Sequence, residues 1–131
     1  MNLILPDNLA RVWERVRAGL LEVQKHSVED WIPEDVYMAL KTGQAALYMH
    51  DRAFLIAQLL PTYHGKRLHV WCAYNDGKPG LRIFLRHLKA LAVEAGASKI
   101  TFMSPRDEWL SVGKRGGFRP TQTTFELEVT L

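Results

Sequence analysis

The chain has 131 residues, a formal charge of +3 and 47% apolar residues, which suits one ordered domain burying about two-thirds of its unfolded surface. No apolar run nears the roughly 20 residues that cross a bilayer, and a single cysteine, Cys72, excludes an internal disulfide or a cysteine-based zinc cluster. The positive charge is spread out and densest in KRGGFR at 114–119, short of the basic stripe with stacking aromatics that a nucleic-acid surface needs.

The start, MNLILPDNLARVWERVR, has no basic leader and no cleavage-type site, so a cytoplasmic protein without a signal peptide is expected. Leu9, Val12, Trp13, Val16, Leu20 and Val23 recur every three or four residues and predict an amphipathic helix, with Asp7 or Asn8 at its start. A shorter helix is expected over 33–41, opened by Pro33 and closed near Gly43. AALYMH and AFLIAQLL, joined through Asp51 and Arg52, read as a hairpin. Pro61 and YHGKR are expected to break the pattern before LHVWCAY, a strand apolar enough on both faces to be central in a sheet.

The stretch YNDGKPG at 74–80 is a turn, and it feeds the most strongly patterned helix of the chain, with Leu81, Phe84, Leu85, Leu88, Leu91, Ala92 and Ala95 on one stripe. Free N–H groups and the helix dipole converge at such an entry, which is where an anion can bind. KITFMS is a strand and DEWLSVGKRG a short helix. In FRPTQTTFELEV, Phe125, Leu127 and Val129 alternate with polar residues, which predicts a last extended strand whose open edge suits pairing in a homodimer. The strand, helix and strand over 68–103 should form a right-handed crossover with parallel strands. The fold expected is therefore mixed α/β (α+β): a twisted, mostly antiparallel sheet with a central parallel β-α-β unit and helices on both faces.

Several polar residues have no chemistry-bearing context. His26, His50, His64 and His87 lack metal-ligand spacing, so no metal site is expected. Ser104 lacks a Gly-x-Ser-x-Gly setting. Arg106 and Asp107, after the strand KITFMS, stand where open α/β sheets place ligands. His69 is a candidate general base, because a histidine titrates near neutral pH.

The order of these elements, the glycine-bearing turn into the long helix and the Gly116-Gly117-Phe118 run resemble the GNAT fold, the acetyl-CoA-dependent N-acetyltransferases. The resemblance covers most of the chain, 1–131, as a single GNAT-like domain. LHVWCAY, MSPRDEW and GGFRPT in this order look most like the small GNAT-like proteins of tailed bacteriophages and prophages. The resemblance implies acetyl-CoA as cofactor. Its pantetheine arm would lie along the backbone of Trp71, Cys72 and Ala73, and its pyrophosphate on the turn formed by Asn75, Gly77, Lys78, Gly80 and Leu81. It also implies an acidic tyrosine at position 113. Glycine stands there, which leaves Tyr74 as a replacement acid beside His69 as base. Two functions follow: acetyl transfer from acetyl-CoA to an unknown amine, or a non-catalytic virion or assembly protein that contacts phage structural proteins and is virion-associated.

Overall fold

A computed structural model describes residues 1–26, 30–76, 80–104 and 113–129. Its five-stranded sheet runs in sequence order, β1 (Asn2–Ile4), β2 (Ala46–His50), β3 (Ala53–Thr62), β4 (Gly65–Tyr74) and β5 (Ala97–Phe102). The first four strands pair antiparallel, and β4 and β5 pair parallel. The helices are α1 (Leu9–Gln24), α2 (Pro33–Lys41) and α3 (Leu81–Glu94). This is the expected mixed fold, with α3 as the crossover between the parallel strands.

Each face of the sheet has its own core. Val16 and Leu20 of α1, with Val36 and Leu40 of α2, pack on Leu47, Phe54, Ile56 and Cys72. Phe84, Leu88 and Ala92 of α3 pack on Leu55, Ala57, Leu68 and Val70. Strand alternation sorts β3 between the two, with Phe54 and Ile56 to one side and Leu55 and Ala57 to the other. The helix ends follow local chemistry. Pro33 opens α2, the Asp35 carboxylate accepts from the Ile32 N–H at 3.0 Å, and Gly43 takes φ +79 just past the end.

α1 lies close to the sheet because Gly19 faces it. A Cβ built there would come within 2.5 Å of a Phe54 ring carbon and 3.2 Å of the Tyr74 ring. The stripe Leu9, Val12, Val16, Leu20 therefore seats with a bare backbone at its centre, over the end of β4.

Three expectations change. The first residues, where no strand was expected, pair as β1 along β2. Pro61 does not break β3, which runs to Thr62 with Pro61 opposite Lys66. Pairing of β2 with β3 ends at Ala57, so β3 is an edge strand at Pro61, where a missing N–H is tolerated. The last strand is absent: residues 118–129 form no strand, and Phe125, Leu127 and Val129 are 92%, 86% and 81% exposed. A short alternating segment needs a ladder partner to hold it. The short helix expected in DEWLSVGKRG falls largely outside the described residues, with helix at 113–115.

Substituting Gly19→Val is expected to destabilise the fold by about 1–3 kcal/mol, the usual cost of overpacking a filled core. A urea midpoint unchanged from the wild type would mean that the Phe54 ring gives way freely.

Candidate functional site

β4 carries an irregularity at its centre. Ile56 pairs with Cys72 and Ala57 pairs with Val70, so Trp71 is an extra residue on β4. Such a bulge shifts the alternation by one. Leu68 and Val70 face α3, whereas Cys72 and Tyr74, at the same parity, belong to the α1–α2 side. His69, between two residues that face α3, also points to the α1–α2 side. The bulge thus brings His69, Trp71 and Tyr74 to one face, which unbroken alternation would have divided.

The neighbouring strand then stops. The β4–β5 ladder ends at Val70 with Phe102, while β4 continues to Tyr74, still paired to β3 as far as Phe54. The β4–β5 register thus runs no further than Val70 and Phe102, and β4 goes on through 71–74. Beyond them lie Asn75 and Asp76, then Gly80, the N-cap of α3, with extended backbone and a carbonyl accepting the Phe84 N–H at 3.0 Å. Among the described residues nothing lies within 4 Å of a Cβ built on Gly80. The backbone of Leu81 begins the helix. Gly77, Lys78, Arg106, Asp107 and Trp109 lie outside the described residues.

The side chains are held in different ways. His69 Nδ1 lies 2.9 Å from Thr101 Oγ1 on β5, its register partner. With Nδ1–H donating to that hydroxyl, Nε2 is the basic nitrogen. Trp71 meets Trp31 edge-on at 6.4 Å. Cys72 is 2% exposed, a buried thiol in the α1–α2 core. Tyr74 stacks on Phe54 at 5.6 Å. Ala73 is exposed. An extended thioester arm would need a strand that leads into a roomy helix entry, and β4 followed by Gly80 has that order in the chain.

The Gly-Gly-Phe run closes a helical turn. The Gly113 carbonyl accepts from the Gly116 and Phe118 N–H groups at 3.0 and 2.8 Å, and Gly117 takes φ +90. A Cβ on Gly116 would meet Leu85 at 3.1 Å, and the Phe118 ring stands edge-on to Phe102 at 5.1 Å. These glycines and Phe118 lock the turn onto α3 and β5. Position 113 is buried against them and bears no hydroxyl.

Thr101 carried no signal in the sequence; it is found only by pairing β4 with β5. The fold also joins two histidines far apart in the chain, His50 of β2 and His87 of α3, with ring centres 5.4 Å apart. The amino terminus donates to His87 Nδ1 at 3.2 Å. Among the described residues no group of three or more His, Cys, Asp or Glu is placed to hold a metal ion.

No family model matches the chain, and no curated protein matches it in sequence. Solved structures do match in shape. A ribosomal-protein-alanine N-acetyltransferase from Brucella melitensis biovar Abortus 2308 superposes with a TM-score of 0.68 at 16% identity, covering 98% of each chain. A predicted acetyltransferase from Clostridium acetobutylicum, solved with acetyl-CoA, gives 0.64 at 17% identity, over 97% of this chain and 94% of that one. An aminoglycoside acetyltransferase from an uncultured soil metagenomic sample, in complex with sisomicin, gives 0.62 at 12% identity, over 99% and 94%. The chain therefore has the fold of the GNAT acetyltransferases.

Burial, then the amino terminus, His50 and Arg86, push the His87 pKa below its ordinary value of 6.5. The folded chain thus favours neutral His87, and the unfolded chain binds more protons as pH falls. The associated stability is full above about pH 6.5 and is lost as pH drops through the lowered value. His87→Gln is expected to flatten the fall in urea midpoint between pH 7.5 and pH 5; equal falls in both proteins would remove His87 as its source.

Proposed function

We propose that the chain is one GNAT-like domain that binds acetyl-CoA where β4 and β5 part and transfers its acetyl group to an amine. The observation that carries this reading is the β4–β5 ladder ending at Val70 and Phe102 while β4 runs on into the entry of α3. The backbone of Trp71, Cys72 and Ala73 lies along the pantetheine arm. Asn75, Gly77, Lys78, Gly80 and Leu81 receive the pyrophosphate through N–H groups and the Lys78 charge. Acetyl-CoA supplies an activated acyl group that an amine nitrogen attacks directly. His69 takes the proton released by that nitrogen, and Tyr74 gives a proton to the departing thiolate sulfur. A strand N–H holds the carbonyl oxygen as charge develops on it. The soil enzyme's ligand, an amine-rich aminoglycoside, supports an amine as acceptor. A cytoplasmic location fits a thioester cofactor.

One feature favours a second reading. Gly113 stands where the resemblance expects the acidic tyrosine, and Tyr74 is packed on Phe54. A phage or prophage protein that keeps the scaffold and uses it in virion assembly, contacting phage structural proteins, needs neither group.

Calorimetry with acetyl-CoA separates the two. Micromolar binding is expected, weakened roughly fivefold to tenfold by Lys78→Glu through charge reversal. No heat and no thermal shift at millimolar acetyl-CoA would reject the enzyme reading. With an amine acceptor, His69→Gln should lower kcat roughly 100-fold and leave acetyl-CoA affinity near the wild type; unchanged turnover would remove His69 from the reaction.

A further inference from the structure

We propose that the acceptor amine carries an oxyanion, a carboxylate or a phosphate, held by Arg67 and Lys99 on the sheet face that bears His69. The inference rests on the acetyl-transfer reading and assigns the class of its acceptor.

The register sets these side chains in two rows. His69 and Thr101 are partners across β4 and β5, and Arg67 and Lys99 are the next partners on the same face. The 2.9 Å contact between His69 Nδ1 and Thr101 Oγ1 joins the first row. Leu68 and Ile100, between the rows, pack toward α3. Alternation therefore puts Arg67 and Lys99 on the opposite face, with His69. On β3 the residues opposite His69 and Arg67 are Gln58 and Leu60, neither of them charged. The helices α1 and α2 pack on Leu47, Phe54, Ile56 and Cys72, toward the other end of β4.

The charge in the second row is unbalanced. Ion pairs of the described residues join Arg17 to Glu34, Lys25 to Glu22, His50 to Asp51 and Arg52 to Asp76. None includes Arg67 or Lys99. Lys99 is exposed and Arg67 is half-buried. The Arg67 Nε is the one buried side-chain nitrogen or oxygen among the described residues that has no hydrogen-bond partner. A buried donor without an acceptor costs free energy, and a charged donor costs more than a neutral one. Two cations directly opposite each other on neighbouring strands also repel. An oxyanion seated on both removes both costs. The guanidinium offers paired N–H groups to a carboxylate or phosphate, and the ammonium adds a point charge.

Position along β4 separates this anion from the phosphates of the cofactor. Tyr74, seven residues beyond Arg67, ends the strand before the helix entry. At about 3.3 Å per residue, that end is roughly 23 Å from Arg67. His69 stands between them, about 7 Å from Arg67 along the strand. An acceptor that meets both therefore has its amine and its oxyanion about five bonds apart. An α-amino acid, whose amine and carboxylate share one carbon, is too short.

In a proton–nitrogen correlation spectrum of the full chain, the buried Arg67 Nε–H should give a side-chain resonance, identified by its loss in Arg67→Gln. Adding δ-aminovalerate or aminopropyl phosphate should shift it, and pentylamine should not. Whichever anion shifts it at the lower concentration identifies the group held as carboxylate or phosphate. With acetyl-CoA, kcat/KM for that amine is expected roughly 100-fold above pentylamine. Lys99→Gln should raise its KM roughly threefold to fivefold and Arg67→Gln about tenfold or more, both acting on KM more than on kcat. No shift at tens of millimolar of either anion, or equal kcat/KM for charged and uncharged amines, would overturn the anion site and leave acetyl transfer standing. A shift without turnover of any amine would overturn acetyl transfer, and the acceptor role of the anion with it.

Discussion

The extra residue at Trp71 governs most of what this sheet does. Before it, Leu68 and Val70 feed the core under α3; after it, Cys72 and Tyr74 feed the core under α1 and α2. One strand therefore serves two layers in turn. Without the bulge, Leu68, Val70, Cys72 and Tyr74 would all lie on one face, and the α1–α2 core would lose both residues that meet it at the strand's end. The bulge also adds local twist next to Val70, where the β4–β5 register ends.

α1 completes that arrangement from above. Gly19 lets its backbone approach Phe54 and the Tyr74 ring, and Phe54 is the partner of Tyr74 both in register and in ring stacking. The end of β4 is consequently fixed on one side by β3 and on one face by α1. On its remaining side the register with β5 reaches only Val70 and Phe102. A strand fixed in this way is ordered by the fold itself before anything meets it. The same scaffold can serve contacts without chemistry, so the fold by itself does not carry the functional distinction.

Periodic signals within a few residues of each other determined much of the protein in advance. The stripes of α1 and α3, the Asp51–Arg52 hairpin, the caps at Pro33 and Gly43 and the parallel crossover were all legible, because each depends on local spacing and backbone preference. The tertiary structure alone decided the rest. The bulge at Trp71 appears only when β4 is laid against β3. Thr101 becomes the partner of His69 only through the β4–β5 register, and His50 meets His87 only once α3 is laid on the sheet. The alternation of Phe125, Leu127 and Val129 predicted a strand, yet residues 118–129 form none, because alternation alone supplies no ladder partner. Local sequence fixes which way a side chain repeats; which distant strand lies opposite, and in what register, is settled by packing both faces of the sheet at once.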